Sequence, residues 1–443
     1  IAEACWSAGI PKNLLQFVRT HDDDVGKHLI TSVDGVILTG SVETADLFRS
    51  WKPDIFLSAE TSGKNALIVT PQADLDLAAA DLVRSAFGHQ GQKCSAASLG
   101  ILVGSVATDE RFIRQIVDAA KSLIVGHSSK PETTFGPLIA PASGKLLQAL
   151  TTLEEGEYWL LEPHQIDSTG QLWTPGIKAG VQPGSSFHHT ECFGPVLGLM
   201  AASNLDQALE WQNAVDYGLT GGIHSLDLTE IENWLDKVQV GNAYINRHIT
   251  GAIVNRQPFG GWKRSTVGSG AKAGGPDYLL QLGNWSPTGL IDLDAAQEDD
   301  DYWWNNHYNI DQDPSRLFCE ANILRYKPQP NLIVRISSDA KEKEVERVLS
   351  AIRHCEIVCE VSREEEISNN DFAASLSSYR FGRIRLLGST TEDVRAAAIQ
   401  AEVHLVDEPV TSSGRLELRW YVREQAISWT LHRFGNLVNA ATN

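Results

Sequence analysis

A chain of 443 residues with a net charge of −19 is long for one hydrophobic core and has the wrong sign for nucleic acid or an anionic membrane surface. Its 42% apolar and 21% charged composition suits a globular protein, and no run approaches the roughly 18 apolar residues a membrane span requires. Six scattered cysteines make no disulfide framework and the start, Ile1-Ala2-Glu3-Ala4-Cys5, has no basic leader, so a reducing, cytoplasmic setting is expected.

Residues 1–9 read as the tail of a helix closed by Gly9, with Pro11 as a stop signal. A start in mid-helix, without Met, gives the expectation of a fragment. Short apolar strands then alternate with helices. Residues 14–18 read as a strand, 24–30 as a helix, 35–40 as a buried strand, 42–51 as a helix, and 55–60 as a strand ending at Glu60. That is the βαβ rhythm of a parallel sheet. A strand ending in Gly40-Ser41 at a helix start can offer free N–H groups to a phosphate. It reads equally as a strand–helix turn with a serine cap.

A helical pattern over residues 75–87 runs into Gly88-His89-Gln90-Gly91-Gln92-Lys93-Cys94-Ser95. A tight glycine loop ending in a cysteine among small residues gives an electrophile an open approach. Lys93 or a helix N-terminus would lower the thiol pKa. Alone, the stretch also fits a buried cysteine at a junction. Residues 99–103 follow as a strand, and Thr108 opens a helix with Phe112, Ile116 and Ala120 on one face. His188, His189 and Cys192 invite a metal reading, but no second ligand pair at zinc spacing lies nearby, so no metal is expected. Thr229 and Glu232 have capping-box spacing before Trp234. Residues 242–246 read as a strand, and the glycine-rich run 250–276 as loops packed against a site.

The composition shifts at residues 286–313. Glu298-Asp299-Asp300-Asp301 reads as a solvated connection, with Tyr302, Trp303 and Trp304 anchoring it to a neighbouring surface. A second domain follows, with strands at 332–336, 357–361, 384–387 and 403–406 and a helix capped by Asp339. Its Leu386-Leu387-Gly388-Ser389 echoes Leu38-Thr39-Gly40-Ser41, which suggests a degenerate second copy of one module. No cysteine follows it, and Cys355 and Cys359 are read as core.

Four motifs, Glu60-Thr61-Ser62-Gly63-Lys64, Gly91-Gln92-Lys93-Cys94, Glu191-Cys192-Phe193-Gly194-Pro195-Val196 and Pro258-Phe259-Gly260-Gly261, stand in an order and at separations that resemble the aldehyde dehydrogenase superfamily over residues 36–285. More narrowly, Gln92-Lys93-Cys94-Ser95-Ala96, Thr250-Gly251-Ala252 and Gly270-Ala271-Lys272-Ala273-Gly274-Gly275-Pro276 resemble the 1-pyrroline-5-carboxylate (glutamate semialdehyde) dehydrogenase branch, in particular the module within bifunctional proline utilization A proteins. Residues 314–443 resemble the extra C-terminal domain of the longer members, with Arg423-Glu424-Gln425-Ala426 and His432-Arg433-Phe434-Gly435-Asn436 as its closing segment.

The resemblance implies an α/β fold. Residues 1–62 would be the end of an NAD-binding, partly Rossmann-type sheet, 63–285 a catalytic domain, 286–313 a linker, and 314–443 a non-catalytic Rossmann-like domain that packs over the catalytic module. It implies Cys94 as nucleophile, Glu60 as general base, Gly40 and Ser41 at the cofactor pyrophosphate, and Glu191 and Phe193 at the nicotinamide end. Ser95, Gly251 and Ala252 would hold the substrate carboxylate and Phe259 would line the aldehyde tunnel. NAD, glutamate semialdehyde, a homo-oligomer and, in a longer parent, an FAD-bearing proline dehydrogenase module are the implied partners. The family's upstream oxyanion Asn and adenosine-ribose Lys are not in the chain, so impaired activity is expected. A non-catalytic scaffold, or a dehydrogenase for another semialdehyde, are the alternatives.

Overall fold

The structure is a computed structural model and describes residues 1–287, 289–433 and the backbone of 436–437; Phe434 and Gly435 of the closing segment lie outside the described residues. The first elements are α1 (Ala2–Ser7), α2 (Asp24–Ser32), β1 (Gly35–Gly40), α3 (Val42–Trp51) and β2 (Phe56–Thr61). Gly9 at φ +99° ends the first turn in the left-handed region, where a side chain would be strained. Asp23 caps α2 and Ser41 caps α3, each accepting backbone N–H bonds from the first turn.

Residues 14–18 are not a strand. Leu14 and Phe17 are three-quarters exposed and no ladder includes them, so their apolar run finds nothing to pair with. Nor is β1 the buried strand expected. It is the edge of a three-stranded sheet ordered β1-β2-β12, where β12 is Thr266–Val267, and Ile37 on it is 59% exposed.

The main sheet has nine strands. In chain order its first members are β3 (Asn65–Val69), β4 (Ala97–Val103), β5 (Tyr158–Leu161), β6 (Gly176–Ala179) and β7 (Val196–Ala202). After a two-residue β8 (Tyr217–Gly218) come β9 (Thr220–His224) and β10 (Asn242–Ile245). Beyond β11 (Trp262–Lys263), which pairs with β8, the sheet gains β13 (Glu320–Pro328). The smaller second sheet is built from β14 (Leu332–Ile336), β15 (Glu360–Arg363), β16 (Arg383–Leu387) and β17 (His404–Val406), and β18 (Val422–Thr430) returns to the large sheet. The spatial order is β13-β18-β10-β9-β3-β4-β7-β6-β5, parallel throughout except for the antiparallel strand at each end.

On β3, Ala66 and Ile68 join one core cluster and Leu67 and Val69 the other, the period-two alternation of a strand covered on both faces. The helices α4 (Leu75–Phe87) and α5 (Glu110–Lys121) cover one face. Two expected helix starts move. Asp109 rather than Thr108 caps α5, and Asp227 rather than Thr229 caps the helix Leu228–Lys237, because in each case the aspartate carboxylate reaches the first free N–H groups. His188 is a core residue, its ring bonded to Gly184 N–H and the Trp211 carbonyl.

β13 and β18 lie beyond residue 314, yet both belong to the large sheet, so the boundary drawn there from sequence is not a boundary of the sheets. The smaller sheet, ordered β15-β14-β16-β17, is all parallel. The echo holds geometrically: β16, a Thr391-capped helix (Glu392–Gln400) and β17 repeat β1, α3 and β2. Asp339 does not cap the helix after β14. Its carboxylate instead accepts the Ser389 N–H at 2.9 Å.

The acidic run is not a solvated connection. Residues Leu293–Trp303 form a helix, and Asp300 on it makes a doubly hydrogen-bonded, buried pair with Arg347 at 2.6 and 2.8 Å. Trp303 and Trp304 pack on the second-domain core as expected, while Tyr302 stays exposed. Substituting Asp300→Ala strands Arg347 as an unpaired buried cation and is expected to cost about 3–5 kcal/mol. Urea denaturation reads this loss, and a paired Asp300→Leu/Arg347→Met variant is expected to recover most of it.

Candidate active site

The cysteine loop is built by close backbone approach. After α4 the chain turns through His89 and Gln90, both at positive φ, to Gly91 at φ +66°. A Cβ on Gly91 would meet the Gly194 carbonyl oxygen at 2.3 Å, so only glycine lets the 194 loop sit against this turn. The Gln92 side-chain amide donates to the Phe193 carbonyl at 3.2 Å, tying the two loops together.

Cys94 is then held from below. The Asn65 Nδ2 group donates to the Cys94 and Ala96 carbonyls at 2.7 and 2.9 Å, and its Oδ1 accepts the Thr220 N–H at 3.0 Å. Asn65 is therefore fully used and cannot move without moving the cysteine loop. Burial pushes the Cys94 thiol pKa up. The Ser95 and Cys94 N–H groups oppose this, while the Glu60 and Glu191 carboxylates add to it. A Cβ on Gly63, which lies three residues after Glu60 and donates its N–H to Glu191, would meet the Cys94 carbonyl oxygen at 2.7 Å, so the turn after β2 brings both carboxylates up to the cysteine loop.

Glu60 is the penultimate residue of β2 and is enclosed by the glycine-rich run. Its Oε2 accepts the Gly261 N–H at 2.9 Å, and a Cβ on Gly260 would meet its Oε1 at 2.7 Å. Enclosure raises its pKa to about 8, against the pull of Lys272 and the Gly261 N–H. Lys272 is buried beyond Gly260, whose carbonyl accepts from its ammonium, and desolvation lowers its pKa. The Lys272 backbone N–H donates to Glu424 Oε2 at 2.8 Å, and Trp262 Nε1 donates to the Glu424 carbonyl at 2.8 Å. Strand β18 thus braces the run that positions Glu60.

The other expected residues fall in four places. Glu191 accepts the Gly63 N–H at 2.7 Å, and the Ser62 N–H donates to the Gly40 carbonyl at 3.2 Å, so Glu191 and the Gly40-Ser41 turn meet through residues 62–63. Phe193 has φ +54° and is 40% exposed, its carbonyl bonded to Gln92 of the cysteine loop. Ser95 is buried next to Cys94. Gly251, at φ +80°, and Ala252 lie exposed on the loop after β10. That loop is tied to α4, which leads into the cysteine turn, by the Ile249 N–H donating to Ser85 Oγ at 3.0 Å. Phe259 pairs with Ala273 through two backbone bonds, one residue from Gly260.

Sequence reasoning missed Asn65 and the bracing role of Glu424. Asn65 had a visible signal, a polar residue opening the apolar strand Ala66-Leu67-Ile68-Val69. Glu424 had none, because its partner lies 152 residues away in the chain.

A nicotinamide dinucleotide fits this arrangement. The Gly40-Ser41 turn stands at the start of α3, where free backbone N–H groups suit a phosphate, and the Glu191 carboxylate meets this turn through residues 62–63.

The aldehyde dehydrogenase family matches residues 1–285, and the chain belongs to that family. Similar curated proteins include the 1-pyrroline-5-carboxylate dehydrogenase of Geobacillus thermodenitrificans, 36% identical over 290 residues, or 63% of this chain and 56% of that one. That of Bacillus subtilis is 35% identical over 63% of this chain and 55% of its own length. The chain thus spans little more than half of these relatives. Among solved structures, proline utilization A from Corynebacterium freiburgense is 45% identical with a TM-score of 0.88, covering 98% of this chain and 46% of that one. A Thermus 1-pyrroline-5-carboxylate dehydrogenase with bound NAD is 33% identical with a TM-score of 0.58, covering 63% and 55%. No helix among the described residues is long and apolar enough to cross a membrane.

Proposed function

We propose that the chain carries the thiol chemistry of an NAD-dependent dehydrogenase acting on glutamate semialdehyde, the open form of 1-pyrroline-5-carboxylate, to give glutamate. The observation that supports this reading is the close approach of Gly63, three residues after Glu60 and hydrogen-bonded to Glu191, to the backbone of Cys94. The Cys94 thiolate attacks the aldehyde carbon, and the Cys94 N–H is placed to stabilise the oxyanion. Collapse of that adduct at Cys94 releases hydride, for which NAD, when bound, would be the acceptor. The acyl group then sits on Cys94 as a thioester, and Glu60 takes a proton from the water that hydrolyses it.

Gly40, Ser41, Glu191 and Phe193 hold the cofactor in this reading. Ser95 with the Gly251 and Ala252 N–H groups receives the substrate carboxylate, and Phe259 lines the approach. The C-terminal segment acts by bracing Glu60 through Lys272 and Glu424. The names of the relatives and the NAD in the Thermus structure support the choice of substrate and cofactor, and the proline utilization A neighbours support a proline dehydrogenase module in a longer parent.

The test is NAD reduction with glutamate semialdehyde against pentanal, which lacks the amino-acid end. The reading expects kcat/KM to favour the semialdehyde by roughly 10–10²-fold, since a charge-assisted carboxylate contact is worth about 1.5–3 kcal/mol. Equal use of both would sink the substrate assignment.

A further inference from the structure

We propose that the cleft between α3 and the second domain is a binding site for a small organic phosphate, separate from the Cys94 site. The cleft is open to solvent and its cavity volume is about 120 Å³, room for a phosphate group with part of a small organic body against the wall. Five lining side chains are cationic: Arg49, Lys263, Arg264, Arg383 and Arg423. In a chain of net charge −19, such a concentration of positive charge needs a reason.

Internal pairing accounts for only part of it. The two acids on the wall are Asp46 and Glu402. Glu402 is shared between Arg264 at 2.6 Å and Arg380 at 2.5 Å, and Asp46 lies 3.9 Å from Arg264. The Lys263 ammonium is taken up by the carbonyls of Asn213 and Val215.

Three guanidiniums are left without an acid bonded to them among the described residues. Arg383 is 5% exposed and donates only to carbonyls (Arg419, Trp420, Val422 and Ser269), with its Nε lacking a partner. Arg423 lies 3.7 Å over the Trp262 ring, and its buried Nε has no partner. Arg49, from α3, makes no side-chain hydrogen bond, and burial works against its charge. The His404 Nε2 atom, also on the wall, is buried and unpartnered.

Guanidiniums suit phosphate because their planar donors match its oxygens, and a phosphate ester supplies about −1.5 to −2 charge at pH 7 with three acceptor oxygens. The wall also has an apolar side, Val42, Val267, Phe381 and Ile399, which fits an organic body rather than a bare ion alone.

The cleft is not the proposed cofactor position. It is lined by the Val42, Asp46 and Arg49 face of α3, and Ser41 is not on its wall. In the second domain it meets the N-terminal ends of β16 and β17, at Arg383 and His404, whereas open parallel sheets bind nucleotides at the C-terminal ends. At that other end of β16, Asp339 already occupies the Ser389 N–H.

The test is calorimetric titration of the full chain, with NAD present to fill any cofactor site, against inorganic phosphate, adenosine 5′-monophosphate, glycerol 3-phosphate and adenosine. The expected result is saturable binding of at least one phosphate compound and none of adenosine, weakened roughly tenfold by Arg49→Ala and by Arg423→Gln. Binding of the esters alone identifies an organic ligand, and equal binding of inorganic phosphate shows that the free ion suffices. If Arg423→Gln fails to fold for want of its Trp262 stack, Arg49→Ala decides, because Arg49 has no hydrogen bond to lose. Absence of saturable binding by all three phosphate compounds, or binding that Arg49→Ala leaves unchanged, overturns the proposal.

Discussion

Cys94→Ala is expected to remove aldehyde-dependent NAD reduction by roughly 10⁴–10⁶-fold, the scale seen when a covalent nucleophile is deleted. The fold should survive. Asn65 grips the backbone carbonyls of Cys94 and Ala96, not the thiol, so the loop keeps its supports. No other thiol can substitute. Cys192 is buried, hydrogen-bonded to the Thr190 carbonyl at 3.6 Å and held protonated by burial. Cys355 is core and Cys319 is exposed at a distant strand start. Stopped-flow NADH formation together with an unchanged circular dichroism spectrum checks both halves. The pH dependence follows from the same surroundings. Burial and two carboxylates raise the thiol pKa, so the acylation rate should climb as pH rises past the ordinary thiol range.

Glu60→Gln is expected to split the reaction in two. The amide oxygen can still accept the Gly261 N–H, so the position of residue 60 is kept while the base is lost. Steady-state turnover should fall about 10²–10⁴-fold. A burst of NADH approaching one equivalent should remain, because acylation uses the thiol and only thioester hydrolysis needs the base. A second effect has the opposite sign. The Glu60 charge raises the Cys94 pKa, so neutralising it should move the pH midpoint of the burst downward. In the unmodified protein, a Glu60 pKa of about 8 means the base is mostly protonated at neutral pH, and turnover should rise as pH passes through 8. Loss of the burst together with turnover would show that Glu60 is needed for acylation instead.

Much of the site was legible because its residues fall in short motifs whose chemistry is local. The cysteine loop carries its glycines within a few residues of the thiol, and Glu60 stands where a strand stops. The βαβ elements were legible for the same reason, since caps and periodicity act within a turn or two. Residues 14–18 misled because an apolar run predicts a strand only when a partner exists, and none lies beside it. The acidic run at 298–301 misled because one buried arginine, Arg347, turns a carboxylate from a solvated group into a structural one. The assignment of β18 to the large sheet depends on pairing with β10, nearly two hundred residues earlier, which no local pattern encodes.

The central claim is that the substrate carbon becomes bonded to Cys94. The direct measurement is mass spectrometry of the Glu60→Gln protein quenched in acid after mixing with NAD and glutamate semialdehyde. A glutamyl adduct on the peptide containing Cys94, absent when NAD is omitted, is the predicted result. An adduct on another cysteine, or no adduct while NADH is produced, would contradict it.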